Sequence, residues 1–338
     1  MRAVAYRTPG PIDRPDALLD VELPMPEAHG RDLLVEVRAI SVNPVDTKVR
    51  TRAAAVDGGW KVLGWDVAGV VKAVGTAATR FAVGDAVYYA GALDRQGGNA
   101  EYHLVDERIV GRKPASLDWA EAAALPLTAI TAWEALFDRL DVERAVPGAH
   151  SILVIGGAGG VGSIAVQLAR RLTGLTVVAT ASRAETRDWV GDLGAHHVLD
   201  HSRPLAAQFV DAGLEAPGFV FSTTHTHLHL EAIAELIAPQ GRFALIDDPP
   251  ALDITAFKRK AVSTHWEFMF TRSLFGTADM GEQARLLDEV ARLVDAGTLR
   301  TTLAERFGHI DAANLVRAHR LLESGAARGK VVLEGFAA

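Results

Sequence analysis

A run of glycines near the middle of the chain offers the clearest chemistry in this sequence. Gly157, Gly159 and Gly162 have the G-x-G-x-x-G spacing, and they follow the apolar run Ser151–Ile155 directly. An amphipathic stretch comes next, so the pattern predicts a strand, a tight turn and the start of a helix. Such a turn lets a pyrophosphate approach the backbone and the unpaired N–H groups of the helix N-terminus. We predict that the dinucleotide is bound here by Gly157, Gly159, Gly160, Val161 and Gly162. A glycine-rich turn without a ligand is the alternative.

The residues after the next predicted strand bear on the choice of dinucleotide. An NAD site would place Asp or Glu about 20 residues beyond the glycines, to accept a hydrogen bond from the ribose 2′-OH. Ser182 and Arg183 stand there instead. A hydroxyl followed by a guanidinium suits a 2′-phosphate, which a carboxylate would repel. We therefore predict NADPH as the cofactor, unless Arg183 is simply a solvated residue in the first turn of the next helix.

Three alternating histidines suggest a different chemistry. On a strand, His225, His227 and His229 would present three imidazoles on one face, as a metal site requires. They follow a strand candidate and precede a helix candidate, so we expect the alternation to lie in a loop. The metal interpretation stays open as the less favoured one.

Two kinds of sequence pattern predict the domains that would hold these residues. The first ~125 residues contain short apolar runs separated by Gly, Pro and Asp, typical of a partly antiparallel barrel-like domain. From residue 151 strands and helices alternate, which predicts a doubly wound parallel sheet in an α/β fold. The predicted strands of this part are 151–155, 175–181, 197–199, 218–222 and 242–246. Amphipathic helices around 286–294 and 315–322 and a strand at 330–333 close the chain.

Composition excludes several classes of function. The 338 residues include no cysteine, so thiol nucleophiles, disulfides and thiolate metal sites are ruled out. A net charge of −7 argues against nucleic acid or an anionic membrane as a partner. The uncharged run 151–169 is too rich in glycine for a membrane span, and the first residues lack the apolar region of a signal peptide. We expect a soluble, cytoplasmic protein.

Further segments occur in a recognisable order around the glycine motif. They are Ser41–Asp46 (SVNPVD), Gly64–Val71 (GWDVAGVV), Gly98–Tyr102 (GNAEY), Leu125–Trp133 (LPLTAITAW) and His265–Phe270 (HWEFMF). Together they resemble the medium-chain dehydrogenase/reductase superfamily over essentially the whole chain. The resemblance is greatest to its zinc-independent quinone oxidoreductase and zinc-type alcohol dehydrogenase-like branch. It implies a GroES-like β-barrel catalytic domain formed by residues 1–126 and 269–338, a Rossmann domain at 127–268, and a homodimer.

Departures from the zinc-dependent members of that superfamily indicate the reaction. The positions of the Cys, His and Cys ligands of their catalytic metal are matched here by Asn43, Trp65 and Leu127. The four-cysteine structural zinc lobe has no counterpart. We therefore expect no metal, and hydride transfer to an acceptor activated by conjugation: a quinone or an α,β-unsaturated carbonyl. An enoyl-thioester reductase and a non-catalytic NADPH-binding protein are the alternatives.

The resemblance also implies roles for residues of the cleft. The catalytic candidates are Asn43, Asp46 and Thr128. The Asn43 amide would stabilise developing negative charge on the acceptor, and the Asp46 carboxyl would position Asn43 or relay a proton. The Thr128 hydroxyl would lie near the nicotinamide. For Asn43 and Asp46, local turn hydrogen bonds are the alternative, and for Thr128 a place at the start of a helix.

Contacts to the cofactor and the acceptor are implied in the same way. Cofactor contacts are expected from Thr131, His201, His225 and Phe270, and an acceptor pocket from Trp65, Tyr88 and Asn99. Ordinary packing is the alternative for the pocket residues and for Phe270. A surface position is the alternative for His201, and a place at the start of a helix for Thr131.

Overall fold

Strands dominate the first part of the chain in the computed structural model, which describes residues 1–337. Short apolar runs broken by turn residues account for this, as the sequence predicted. The elements in order are β1 (Arg2–Tyr6), β2 (Leu19–Glu22), β3 (Asp32–Val42), α1 (Pro44–Arg52), β4 (Lys61–Val62), β5 (Val67–Val74), β6 (Ala86–Tyr89), β7 (Tyr102–Asp106), β8 (Gly111–Arg112), α2 (Trp119–Ala123) and α3 (Pro126–Trp133). A π-helix, Glu134–Arg139, continues α3.

Strands and helices then alternate, and the predicted α/β class is confirmed. The elements are β9 (Ser151–Ile155), α4 (Gly160–Leu172), β10 (Thr176–Thr180), α5 (Ala184–Asp192), β11 (His197–Leu199), α6 (Leu205–Asp211), β12 (Phe219–Ser222), α7 (Thr226–Leu236), β13 (Arg242–Leu245) and β14 (Ser263–Trp266). The last elements are α8 (Thr271–Phe275), α9 (Glu282–Asp295), β15 (Leu303–Arg306), α10 (Ala312–Glu323) and β16 (Lys330–Glu334).

The chain divides into two units by its internal contacts. One contains Met1–Ile130 and the chain from Phe270 onward, and the other is Thr131–Met269. We call them the barrel unit and the Rossmann unit. Across residues 1–337, no helix combines the length and the apolar character needed to cross a bilayer.

The Rossmann unit contains a six-stranded sheet in the order β11-β10-β9-β12-β13-β14, with every neighbouring pair parallel. The strand order reverses beside β9, because β10 lies on one side of it and β12 on the other. In doubly wound sheets ligands bind outside the carboxyl ends of the strands at this switch point. The glycine turn follows β9, so the topology places it at that position.

The barrel unit is organised around the long strand β3. Its seven-stranded sheet has the order β15-β16-β3-β5-β6-β8, and β7 also pairs with β3. A separate sheet has the order β2-β1-β4. Because β16 runs antiparallel to β3 with Val331 opposite Val42, the C-terminal segment brings Lys330 next to Asn43. These residues are almost 290 positions apart, and this pairing builds one of the two candidate sites.

Candidate functional site

Three glycines of the turn have little or no room for a side chain. Gly156 has a φ of +81°, and a Cβ there would lie 2.4 Å from Thr223 Oγ1. A Cβ on Gly162 would lie 2.2 Å from the carbonyl oxygen of Gly156, and one on Gly157 would lie 3.0 Å from Ala179 Cβ. The turn therefore packs directly against β10, β12 and its own helix. The spacing motif identifies the turn but not Gly156, whose left-handed conformation emerges only in the fold.

The start of α4 is open toward a ligand. Gly159 is its N-cap and no side chain caps it, so Gly160 and Val161 begin the helix with unpaired backbone N–H groups. Thr180, at the end of β10, holds the turn: its Oγ1 accepts from Gly156 N at 3.0 Å and its carbonyl accepts from Gly157 N at 2.9 Å. A closely packed, glycine-rich turn at a helix N-terminus fits a pyrophosphate.

Residues Ser182 and Arg183 follow the carboxyl end of β10, where the ribose of a dinucleotide is recognised. Arg183 is the N-cap residue of α5, and its Nε lies 3.1 Å from Glu185 Oε1. Both side chains of this pair are more than a third exposed, so the pair contributes little to folding stability.

The histidines lie at the same edge of the sheet. His201 follows β11, and its Nδ1 is 3.1 Å from Thr180 Oγ1. His225 is the N-cap of α7, and His227 and His229 belong to the first turns of that helix. The expectation of a loop therefore holds only for His225. Within residues 1–337 no group of three or more His, Asp or Glu side chains is arranged to hold a metal ion.

The second candidate site is a buried polar network in the barrel unit. Asn43 caps α1, and its backbone N–H donates to Asp46 Oδ2 at 2.7 Å. Asp46 Oδ1 accepts from Gly64 N at 2.9 Å, so both of its oxygens are used by backbone amides. Burial raises the pKa of Asp46 to about 7. Asp46 thus links the start of α1 to the loop before β5.

Asp66 and Lys330 complete this network. Asn43 Nδ2 donates to Asp66 Oδ2 at 2.8 Å, and more weakly to the carbonyls of Ser41 and Trp65, each at 3.3 Å. Lys330 Nζ donates to Asp66 Oδ2 at 2.9 Å, to the Val42 carbonyl at 3.1 Å and to Asn43 Oδ1. The other carboxylate oxygen, Asp66 Oδ1, accepts from Leu127 N at 2.7 Å. All the groups of the Asn43 amide are therefore engaged within the protein.

This network brings together the three positions that match zinc ligands in the resembling enzymes. Asn43 Nδ2 and the Leu127 N–H donate to the Asp66 carboxylate, and the Trp65 carbonyl accepts from Asn43 Nδ2. None of these three side chains is a zinc ligand of ordinary strength. The lysine ammonium already supplies a cation between Asn43 Oδ1 and Asp66. Burial raises the pKa of Asp66, while Lys330, the Leu127 amide and Asn43 oppose the rise. The donor set does not fit zinc.

Sequence reasoning missed both charged members of the network. Asp66 lies inside a segment noted for its family pattern, and Lys330 opens a predicted strand. In each case a charged residue stands next to a run of apolar strand residues. Because a charge is rarely buried without a partner, this pattern could have indicated a buried ion pair. Pairing the two required the sheet register.

The remaining catalytic and cofactor candidates are buried in or beside short helices. The Thr128 hydroxyl donates to the Leu125 carbonyl at 3.0 Å, and Thr131 follows one turn later in α3. Phe270, the N-cap of α8, is 2% exposed. Its ring meets that of Trp65 edge to face, with centroids 6.3 Å apart.

The three residues expected to line the acceptor pocket are at most 2% exposed. Trp65 Nε1 donates to the Ala92 carbonyl at 3.1 Å, and the Tyr88 hydroxyl donates to the Leu287 carbonyl of α9 at 2.6 Å. Asn99 lies against Gly64, where a Cβ would be 2.3 Å from Asn99 Oδ1. The polar atoms of Trp65 and Tyr88 are thus hydrogen-bonded within the barrel unit, and Asn99 is packed against Gly64.

Known proteins share both parts of this architecture. Residues 29–115 match the alcohol dehydrogenase GroES-like domain, and residues 193–333 match the zinc-binding dehydrogenase family. A zinc-type alcohol dehydrogenase-like protein of Staphylococcus aureus is 39% identical over 339 residues, 98% of this chain and 99% of that protein. An NADPH-dependent alkenal/one oxidoreductase, chloroplastic, of Arabidopsis thaliana is 36% identical over 212 residues, 60% of this chain and 53% of that protein.

Solved structures extend the comparison. A Rhizobium etli crystal structure, provisionally described as a zinc-dependent alcohol dehydrogenase, superposes with a TM-score of 0.98 at 66% identity and covers 100% of this chain and 99% of that one. The quinone oxidoreductase of Coxiella burnetii superposes at 0.81 with 26% identity and 99% of each chain covered. The GroES-like fold and the Rossmann fold are both confirmed, and the relatives imply an oxidoreductase with a nicotinamide cofactor. The chain belongs to the medium-chain dehydrogenase/reductase superfamily.

Proposed function

We propose that this oxidoreductase uses NADPH to reduce quinones or α,β-unsaturated carbonyls, without zinc. The observation that carries the proposal is the Asn43–Asp66–Lys330 network, because the resemblance matches Asn43 to a zinc ligand and here its amide is bonded to a carboxylate and an ammonium. Alcohol oxidation requires stabilisation of an alkoxide, which a Lewis acid supplies. A conjugated acceptor spreads the incoming charge over its own π-system and needs no such ion. The names of two relatives, an alkenal/one oxidoreductase and a quinone oxidoreductase, support this substrate class.

The Rossmann unit supplies the residues that would hold the cofactor. The glycine turn and the first N–H groups of α4 would bind its pyrophosphate, and Ser182 and Arg183 would bind the 2′-phosphate. When bound, NADPH supplies the hydride. The proton that follows comes from water or from a hydroxyl of the pocket, and the proposed reaction requires no covalent nucleophile. We further propose a cytoplasmic homodimer, on the resemblance alone, and light scattering of the purified protein tests the dimer.

A substrate panel tests the reaction. NADPH oxidation would be followed with 1,4-benzoquinone, 9,10-phenanthrenequinone, 2-alkenals and crotonyl-CoA, and simple alcohols would be offered with NADP⁺. We expect turnover with quinones or alkenals. Activity confined to alcohols would overturn the proposed reaction, preference for crotonyl-CoA would indicate the thioester alternative, and cofactor binding without turnover would indicate a non-catalytic protein.

The cofactor preference is tested at Arg183. Removing the guanidinium removes a charge-assisted hydrogen bond to the 2′-phosphate, so Arg183→Ala should lower kcat/KM for NADPH by roughly tenfold or more. The value for NADH should not change. Arg187→Ala, an exposed arginine of the same helix, is the matched control. A wild-type preference for NADH, or an Arg183→Ala variant with unchanged use of NADPH, would contradict the assignment.

A further inference from the structure

A chain of hydrogen bonds joins helix α5 to the glycine turn. The indole Nε1 of Trp189, in α5, donates to Ser163 Oγ in the first turn of α4 at 2.8 Å. The Ser163 hydroxyl donates in turn to the carbonyl of Ala158, within the glycine turn, over a longer distance of 3.4 Å. Ser163 is fully buried, so its hydroxyl finds both a donor and an acceptor away from water.

An apolar contact lies beside this chain. A Cβ placed on Gly157 would lie 3.4 Å from Val190 Cγ1, so the buried Val190 side chain packs against the glycine turn. Apolar contacts have no preferred direction, whereas a hydrogen bond weakens steeply away from its preferred angle. The contact at Val190 therefore holds α5 close to the turn, and the Trp189–Ser163 bond restricts the orientation of α5 relative to α4.

The orientation of α5 matters because Arg183 begins this helix. Arg183 is the N-cap residue, and Trp189 lies about 9 Å further along the helix axis at 1.5 Å per residue. The carbonyl of Arg183 accepts from the Thr186 N–H at 3.2 Å and from the Thr186 hydroxyl at 2.9 Å. These bonds tie Arg183 to the first turn of α5, so a tilt of the helix moves Arg183 relative to the glycine turn.

We propose that Trp189 is a positioning residue for NADPH, which acts through Ser163 to hold the start of α5 at the spacing from the glycine turn that the cofactor requires. This inference rests on the proposed function, in which the turn binds the pyrophosphate and Ser182 and Arg183 bind the 2′-phosphate. A ligand held at two positions binds more tightly when their spacing is preset, because less freedom is lost on binding. NADH has no 2′-phosphate, so Trp189 should affect the preference for NADPH over NADH.

The variant Trp189→Phe tests this role with little change in shape. It removes the indole N–H and keeps an aromatic ring, and the Ser163 hydroxyl keeps its bond to the Ala158 carbonyl. Calorimetric titration of the full chain would measure the affinities for NADPH and NADH without turnover. We expect the affinity for NADPH to fall by roughly three- to tenfold, and the affinity for NADH to fall by less than about twofold.

A double-mutant cycle shows whether the effect passes through Ser163. Ser163→Ala removes the acceptor, so it should weaken NADPH binding at least as much as Trp189→Phe. The double variant should bind NADPH no more weakly than Ser163→Ala alone, because Trp189 then has nothing left to act through. Trp266→Phe is the matched control: the same change at an exposed tryptophan of the Rossmann unit should leave both affinities unchanged. Melting temperatures show that each variant is folded, and Trp189→Phe alone still gives the NADPH-to-NADH comparison if Ser163→Ala folds poorly.

The outcomes separate this inference from the proposed function. Equal losses of affinity for NADPH and NADH in Trp189→Phe would reveal a general effect on the fold and overturn the positioning role. Unchanged NADPH affinity in that variant, or fully additive effects of the two single variants, would overturn it as well, while a wild-type preference for NADPH would stand. A wild-type protein that binds NADH more tightly than NADPH would instead overturn the proposed cofactor.

Discussion

Lys330 and Asp66 form a buried ion pair that shapes the chemistry of the barrel unit. Their side chains are 3% and 0% exposed, and the Lys330 Nζ–Asp66 Oδ2 distance is 2.9 Å. The pair survives desolvation because hydrogen bonds satisfy both partners: Asn43 and the Leu127 amide on the carboxylate, and the Val42 carbonyl on the ammonium. A lysine thus provides a positive charge beside Asn43, a position that the resemblance matches to a zinc ligand.

Removing the ammonium alone should be strongly destabilising. Lys330→Met leaves the Asp66 carboxylate buried without its cation, and breaking such a pair costs about 3–5 kcal/mol. Equilibrium unfolding in urea would measure the loss. The double variant Asp66→Asn/Lys330→Met removes both charges and should recover a substantial part of it. A double variant no more stable than Lys330→Met would show that the unpaired Asp66 charge does not cause the loss of stability.

The turn between β9 and α4 depends on small residues at a few positions. Gly162 is the most constrained of them, because a Cβ on it would lie only 2.2 Å from the carbonyl oxygen of Gly156. Gly156 directly follows β9 and Gly162 lies in α4, so neither stretch of backbone can move at low energetic cost.

Gly162→Ala should therefore disrupt the cradle. We expect a loss of stability of about 1–3 kcal/mol from overpacking, and loss of measurable NADPH binding by fluorescence titration. Gly191→Ala is the control: this helical glycine of α5 has nothing within 4 Å of its added Cβ, so the variant should keep binding and gain about 0.5–1 kcal/mol. Normal NADPH affinity in Gly162→Ala would contradict the placement of the pyrophosphate.

A pair of glutamates joins two elements of the Rossmann unit. Glu134 begins the π-helix after α3, and Glu267 follows β14; the two are 1% and 3% exposed. Arg139 Nε donates to Glu267 Oε2 at 2.9 Å. Burial and the like charge of Glu134 raise the pKa of Glu267 to about 9, although Arg139 opposes the rise. Glu267 is thus protonated near neutrality and hydrogen-bonded to Glu134.

Because of this pair, the folding stability should decrease as the pH rises into the alkaline range. The folded pKa of Glu267, about 9, is above its ordinary value of 4.5, so the folded state binds this proton more tightly than the unfolded state. The resulting stabilisation is fully present below about pH 4.5 and is lost as the pH rises through about 9. In Glu267→Gln the melting temperature should fall less steeply between about pH 6 and 9 than in the wild type. Glu143→Gln, an exposed residue of the same unit, should keep the wild-type slope; identical slopes in all three proteins would contradict this assignment.

For the molecule as a whole, the main question is whether activity needs a metal. Cysteine is absent from the sequence, and within residues 1–337 no cluster of His, Asp and Glu is arranged for metal binding. The family that matches residues 193–333 is described as a zinc-binding dehydrogenase. We nevertheless expect this chain to work without zinc.

Chelation gives the corresponding prediction. Protein purified without a metal-affinity tag and dialysed against EDTA should keep its full reductase activity and its melting temperature. Elemental analysis should find well under one zinc per chain. One tightly held zinc per chain, or activity lost to EDTA and restored by zinc, would end the zinc-independent interpretation.

Local sequence patterns determined the class of fold and the position of the glycine turn. Period-two and helical hydrophobic patterns, glycine spacing and the absence of cysteine depend on residues near one another, so strands such as Ser151–Ile155 and His197–Leu199 were predicted with correct bounds. The motifs also placed Ser182 and Arg183 directly after β10, because that spacing follows from the length of one helix and one strand.

Contacts between distant segments were decided only by the tertiary structure. The Asp66–Lys330 pair depends on the register of β16 against β3, and the Glu134–Glu267 pair on the return of β14 beside β13. The left-handed backbone of Gly156 and His225 likewise depends on what packs around them. Burial, register and strain arise from the whole packed chain, and neither residue type nor spacing carries them.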